Sequence, residues 1–289
     1  MPGRRGGAGR HRRRKGDETG GAQQRHFGGL AADRQGTDDD RPPVVLLHGL
    51  TYDRSQWAPT LRALDSLEPG RRVLALDLPG HGGSPAGDSY ATGDVADVLH
   101  EAVTDAGFDR PVVVGHSLGG ALATVYASRH PTRAVVNVDQ PLLLGPFGEL
   151  LRRNEPVLRS SDYLQLWNSL LAGMGIDQLP AAAQEVVRTA TTPRQDLLLG
   201  YWNEILVTAD EAFTEQRVRE LERIRLLGIP YHYAAGSEPP PPYRRWLESM
   251  LPDVTIDVLP GGGHFPHLAK PAELARIITG VGTGGPAGR

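Results

Sequence analysis

The residues with the clearest chemistry are a serine and a histidine far apart in the chain. Ser117 stands in Gly115-His116-Ser117-Leu118-Gly119, a G-x-S-x-G pentapeptide between an apolar run, Pro111 to Val114, and a small-residue segment, Ala121 to Arg129. In that context the pentapeptide predicts a strand turning sharply into a helix, with the hydroxyl projecting at the turn. The flanking glycines avoid collisions with the neighbouring strand and helix, and the helix N-terminus favours negative charge at the oxygen. Serine alone is a poor nucleophile and needs a base within hydrogen-bond reach. Of the 10 histidines, His264 lies in Gly261-Gly262-Gly263-His264-Phe265, a flexible loop suited to that reach, and is preferred to the nearby His267. A serine activated by an imidazole performs acyl transfer to water. The absence of cysteine excludes cysteine nucleophiles, disulfides and thiolate zinc sites. No cofactor and no metal is expected.

These residues need elements to hold them. Val44 to Leu47, Val73 to Leu76, Pro111 to Val114 and Ala134 to Val138 are short apolar runs, as expected of strands buried on both faces. Helical patterns separate them at Gln56 to Leu67, Thr92 to Ala106 and Ala121 to Arg129, and that alternation predicts a parallel sheet. From Pro141 to Leu227 the patterns are helical only. Strands return at Tyr231 to Ala235 and Val254 to Leu259, with helices at Tyr243 to Met250 and Pro271 to Ile278. The expected fold class is therefore α/β: a mostly parallel central sheet with flanking helices and a helical cap inserted after the strand ending near Asp139. The expected organisation is an Arg/Gly-rich, mostly disordered tail over 1–41, with a weak first strand near Leu30 to Asp33. A core follows at 42–140 and 229–282, a cap at 141–228, and a disordered tail at 283–289. The cap would cover the carboxyl ends of the strands, where open α/β sheets bind ligands.

Four motifs in order make the chain resemble the α/β-hydrolase superfamily, serine-nucleophile branch, from about Pro42 to Ile278. They are Leu47-His48-Gly49, Asp77-Leu78-Pro79-Gly80-His81-Gly82, Gly115-His116-Ser117-Leu118-Gly119-Gly120 and Gly263-His264-Phe265. The family's first hairpin looks reduced here. The resemblance implies catalysis by Ser117 and His264, with backbone N–H groups of Leu50 and Leu118 as the oxyanion hole. His48 and His81 sit in motifs that shape loops, so structural hydrogen bonds are expected of them. The triad acid usually follows the strand after the insertion, which points to Glu238; a minority of the family places it before the insertion, at Asp139. Glu238 is put narrowly ahead.

A serine nucleophile argues against the branches of this fold that use aspartate there. The expected activity is carboxylesterase-like hydrolysis of a small or medium apolar substrate. A C–C bond hydrolase or lyase, and a ligand-binding homologue with little turnover, are the alternatives. Tyr163, Trp167 and Trp202 in the insertion either line the substrate pocket or pack the cap on the core. The net charge of −3 gives no reason to expect a nucleic-acid partner for the folded part. The basic cluster Arg12 to Lys15 lacks the apolar segment of a secretory signal, and no run of about 18 apolar residues exists to span a membrane. The chain is expected to be cytoplasmic, a monomer or homodimer, with a small-molecule substrate.

Overall fold

Aliphatic and β-branched runs build the sheet. A computed structural model describes residues 23–37 and 40–281; the basic cluster near the start and the tail expected at 283–289 lie outside the described residues. The strands are β1 (Gln23–Phe27), β2 (Leu30–Gln35), β3 (Val44–Leu47), β4 (Val73–Leu76), β5 (Val112–His116), β6 (Ala134–Val138), β7 (Tyr231–Ala235) and β8 (Thr255–Val258). Their spatial order is β1-β2-β4-β3-β5-β6-β7-β8. Every pairing is parallel except β1 with β2 and β2 with β4. The chain steps from β3 outward to β4 and then crosses back to β5, so the order reverses at the carboxyl ends of β3 and β5. Open α/β sheets bind ligands at such a reversal.

The helices between these strands are α1 (Ala58–Leu67), α2 (Thr92–Asp105) and α3 (Leu118–Arg129). Between β6 and β7 come α4 (Gly145–Arg153), α5 (Glu155–Leu158), α6 (Tyr163–Ala172), α7 (Ala181–Thr189), α8 (Gln195–Val207) and α9 (Asp210–Leu226). The chain closes with α10 (Pro241–Met250), α11 (Pro266–Ala269) and α12 (Pro271–Val281). Alternate residues of each central strand serve different layers. Val45, Leu47, Leu74, Leu76 and Val113 pack with α2 and α3 through Leu99, Leu122 and Tyr126. Val44, Leu46, Val73, Ala75 and Val114 pack with α1 and α12 through Leu64, Leu274 and Ile278. Both faces are covered, so β3, β4 and the first three residues of β5 carry no polar positions, and the period of two is hidden in a uniformly apolar run.

The first hairpin corrects the expectation of a reduced, weak strand. β1 and β2 form a full antiparallel pair across Gly28-Gly29, and β2 continues onto the edge of β4. Both glycines have positive φ (51° and 82°), the backbone that a two-residue hairpin turn demands. Leu30, Ala31 and Ala32 are buried by this docking. The Gln-Gln-Arg-His sequence of β1 conceals the strand because it lacks the apolar residues that mark one. Among the described residues no helix is long and apolar enough to cross a membrane.

Candidate active site

Ser117 sits between β5 and α3 with φ 52° and ψ −124°, a strained backbone for a residue with a side chain. Its N–H donates to the Val138 carbonyl of the adjacent strand at 3.0 Å, which holds the turn to the sheet. The turn closes only because two neighbours lack side chains. A Cβ at Gly115 would lie 1.9 Å from the Gly119 carbonyl oxygen, and one at Gly119 would lie 2.2 Å from that of Leu47. α3 thus begins hard against the sheet, with its N-terminus beneath the serine.

His264 and Asp139 meet across the top of β6 and β7. The His264 Nδ1–H donates to Asp139 Oδ2 at 2.8 Å, so the carboxylate fixes Nε2 as the ring's unprotonated nitrogen. Asp139 is itself fixed: its other oxygen accepts from Gly236 N–H at 3.0 Å, and its backbone takes the left-handed conformation (φ 55°). Buried Asn137 sets that turn. Its amide donates to the Gln140 carbonyl, and its Oδ1 accepts from Gln140 N–H. The sequence reading placed Glu238 first, and here the structure departs from it. The loop after β7 approaches the histidine with the backbone of Gly236, where a Cβ would fall 1.8 Å from the Gly263 carbonyl oxygen. Glu238, two residues on, points into solvent and pairs with Arg244 at 3.1 Å. A polar asparagine near the end of an apolar strand, two residues before an acidic one, was the available signal.

The loop after β3 is held by two histidines. His48 Nε2 accepts from Leu78 N–H at 3.0 Å, and its Nδ1–H donates to the Gly49 carbonyl at 2.8 Å. His81 Nε2 accepts from Thr51 N–H, and its Nδ1–H donates to the Pro79 carbonyl. Burial holds both neutral, lowering His48 to about 4 and His81 to about 3. They tie the loops after β3 and β4 together. Leu50 and Leu118 line the same cavity as Ser117, and among the described residues neither backbone N–H donates to an acceptor.

His267 is fully buried on α11, its ring 4.2 Å from that of His116 and 5.0 Å from that of Trp57, and it does not line the cavity. His116, beside the nucleophile, points its Nε2–H at the His264 carbonyl (2.7 Å). Burial keeps it neutral, reinforced by the nearby His267 and His264 rings. It braces the histidine loop from below. No hydrogen bond joins Ser117 to His264 among the described residues; such contacts tighten when substrate binds.

The cavity has a volume of about 710 Å³ and is roofed by the helices between β6 and β7. Ser117, His264, Leu50 and Leu118 lie at its floor, with Trp167 and Trp202 among its walls. Tyr163 does not reach it and instead donates its hydroxyl to the Pro193 carbonyl. Sequence reasoning missed Phe147, Leu143, Ile205 and Arg217, which line the cavity from α4, its preceding loop, α8 and α9. The roof also touches the loop that carries His264, where His264 N–H donates to the Met174 carbonyl at 2.9 Å. Among the described residues no group of three or more His, Asp or Glu side chains is placed to hold a metal.

Residues 44–277 match the model of the Alpha/beta hydrolase family. The chain is 29% identical over 248 residues to a pimeloyl-[acyl-carrier protein] methyl ester esterase of Chromobacterium violaceum, covering 82% of this chain and 92% of that one. It is 25% identical over 263 residues to the biotin biosynthesis bifunctional protein BioHC of Teredinibacter turnerae, covering 83% of this chain but spanning only 44% of that protein's length. Among solved structures, one describing recognition and ring-cleavage of the Pseudomonas quinolone signal by an AqdC variant superposes with a TM-score of 0.73. The match covers 91% of this chain and 99% of that one at 19% identity, and what it shows is a shared fold.

Proposed function

Because the chain belongs to the alpha/beta hydrolase family, we propose that it is a serine hydrolase cleaving a carboxylic ester, or a related acyl bond, of a small or medium apolar substrate through an acyl-enzyme. The observation that carries this reading is the Asp139–His264 hydrogen bond on the wall of the cavity that also holds Ser117. The esterase name of a relative matched over most of both chains supports the reaction class.

The roles follow from the geometry. His264 Nε2 takes the hydroxyl proton as Ser117 Oγ attacks the carbonyl carbon, and Asp139 stabilises the imidazolium that forms. Charge develops on the carbonyl oxygen, where the N–H groups of Leu50 and Leu118 receive it. The Leu50 donor sits in the loop braced by the His48 and His81 hydrogen bonds and the Leu118 donor opens α3, so neither costs reorganisation. The tetrahedral intermediate collapses, the C–O bond to the alcohol breaks, and His264 gives its proton to the leaving oxygen. Water then enters, loses a proton to His264 and attacks the acyl-enzyme; Ser117 regains a proton as the carboxylic acid leaves. Trp167 and Trp202 supply apolar wall against the substrate.

A fluorophosphonate probe with peptide mapping, alongside hydrolysis of p-nitrophenyl acetate and butyrate, tests the reading. Labelling confined to Ser117, with turnover of both esters, is expected. Absence of both in folded protein would leave a ligand-binding homologue as the better account. A second reading, C–C bond cleavage of an aromatic or vinylogous ketone, draws on the fold match to a ring-cleaving protein and the tryptophans in the cavity. Turnover of vinylogous diketones without ester hydrolysis would select it.

A further inference from the structure

The cavity has a second polar centre that the ester chemistry does not use. Thr92 at the start of α2, Glu204 on α8 and Arg217 on α9 all line it, and none of them bonds to Ser117, His264 or Asp139. Arg217 is 2% exposed, and a buried guanidinium carries five N–H donors that need acceptors. Its supply is thin. Nη2 reaches Thr92 Oγ1 at 3.4 Å, and Nη1 lies 2.9 Å from Glu220 Oε2. The guanidinium carbon stands 5.2 Å from the centre of the Phe213 ring. Its Nε–H has no partner among the described residues. Glu204 accepts from Thr92 N–H at 2.8 Å, and among the described residues the arginine's ion pair is with Glu220.

We propose that Arg217 is a specificity-determining residue, donating to a neutral oxygen acceptor carried on the substrate at some distance from the scissile ester. This rests on the ester-hydrolase reading and adds a substrate class to it: esters whose acyl or alkoxy arm bears a ketone, amide or ether oxygen. The same cavity holds Ser117 and this centre, and Leu118 and Ala121 of α3 line it together with apolar Phe147, Trp202 and Ile205. A plain alkyl arm would add no acceptor to a guanidinium whose Nε–H is unpaired and whose Nη2 bond to Thr92 is long. A carboxylate on the arm would answer it but would bring a further negative charge beside Glu204, which lines the cavity, and Glu220, the arginine's ion-pair partner. A neutral acceptor satisfies the donor without that repulsion.

The test is a ratio of kcat/KM values within each protein, which is insensitive to partial loss of folded material. p-Nitrophenyl octanoate is compared with oxo-octanoates carrying the ketone at successive carbons and with the ω-carboxylate analogue. A matching series of octyl and oxo-octyl acetates covers the alkoxy arm. In the natural protein one ketone position in one series is expected to exceed its alkyl counterpart by about 10-fold, the scale of one satisfied buried donor. The carboxylate analogue should fall below that ketone. The preference should collapse to about one in Arg217→Met, and equally in Arg217→Met with Glu220→Gln, where no orphaned carboxylate threatens the fold. Turnover of plain esters with no ketone preference at any position, or a preference that survives both variants, overturns the inference and leaves the ester-hydrolase reading standing. A carboxylate preferred to every ketone overturns the neutral-acceptor assignment. No turnover of any ester by the natural protein overturns both.

Discussion

The floor of the cavity and its roof are built by opposite rules. The floor is backbone set against backbone: the turn around Ser117, the loop after β3, the turn holding Asp139 and the loop holding His264 touch with no room for one extra carbon. The roof is side chain against side chain, with Phe147, Trp167, Trp202 and Ile205 meeting across helices. Backbone geometry is over-determined, so each floor residue has one position. Apolar surfaces can exchange shapes of similar volume at modest cost. The proposed hydrolysis thus assigns reaction type to the floor and substrate choice to the roof.

Breaking the floor should therefore have the largest effect. Ser117→Ala or His264→Ala is expected to reduce p-nitrophenyl butyrate turnover by at least about 10³-fold, because such groups act as a unit. Near-equal rates in either variant would remove the mechanism. Gly115→Ala should be nearly as damaging, although no reacting group changes. If it left turnover within a few-fold of the natural protein, the crowding argument for the floor would fail.

The two acids sharpen the contrast. Asp139→Asn should lower kcat by about 10³- to 10⁴-fold through loss of the correct tautomer and of imidazolium stabilisation. Glu238→Gln should leave it within about 2-fold, since an exposed ion pair contributes little. The reverse ranking would return the acid to the loop after β7.

A smaller effect is thermodynamic and belongs to the loops beneath the site. His48 and His81 are held neutral, at about 4 and about 3 against an ordinary 6.5, by burial. Between those values the unfolded chain binds more protons than the folded one, so stability falls as pH drops from about 6.5 towards about 3. For His48 alone the loss is on the order of 3 kcal/mol. Urea midpoints measured from pH 7 to pH 4 should decline, and His48→Asn should flatten the slope. An unchanged slope would dissociate these histidines from acid sensitivity.

The roof should respond least in rate and most in preference. Trp202→Ala is expected to change kcat/KM by about 10-fold or less while shifting the preferred acyl length, as read from the p-nitrophenyl ester series. A loss as large as that of Asp139→Asn would mean that the roof helps assemble the floor.

The same division governs what could be read before the structure. Ser117 and His264 were legible because their settings require particular glycines, and glycine is visible. The central strands were legible because burial on both faces leaves an unbroken apolar run. β1 was not, because polar residues occupy a hairpin whose stability comes from docking on β4. Asp139 was undervalued because its role depends on Asn137 folding the turn and on Gly236 supplying an N–H, contacts that lie 97 residues apart in the chain. Arg217 was invisible for a similar reason. It lies on a helix crowded with charges, and nothing in that pattern distinguishes the one arginine that faces inward.

The bond between His264 N–H and the Met174 carbonyl ties roof and floor into one mechanical circuit. Any excursion that lifts residues 173–175 releases the loop that carries His264, so the form that admits bulk water over this segment is also the one in which that imidazole is unclamped. The protection of a single amide against hydrogen exchange therefore reports the fraction of time spent assembled. Substrates must enter past a different part of the rim if they are to find the histidine ready.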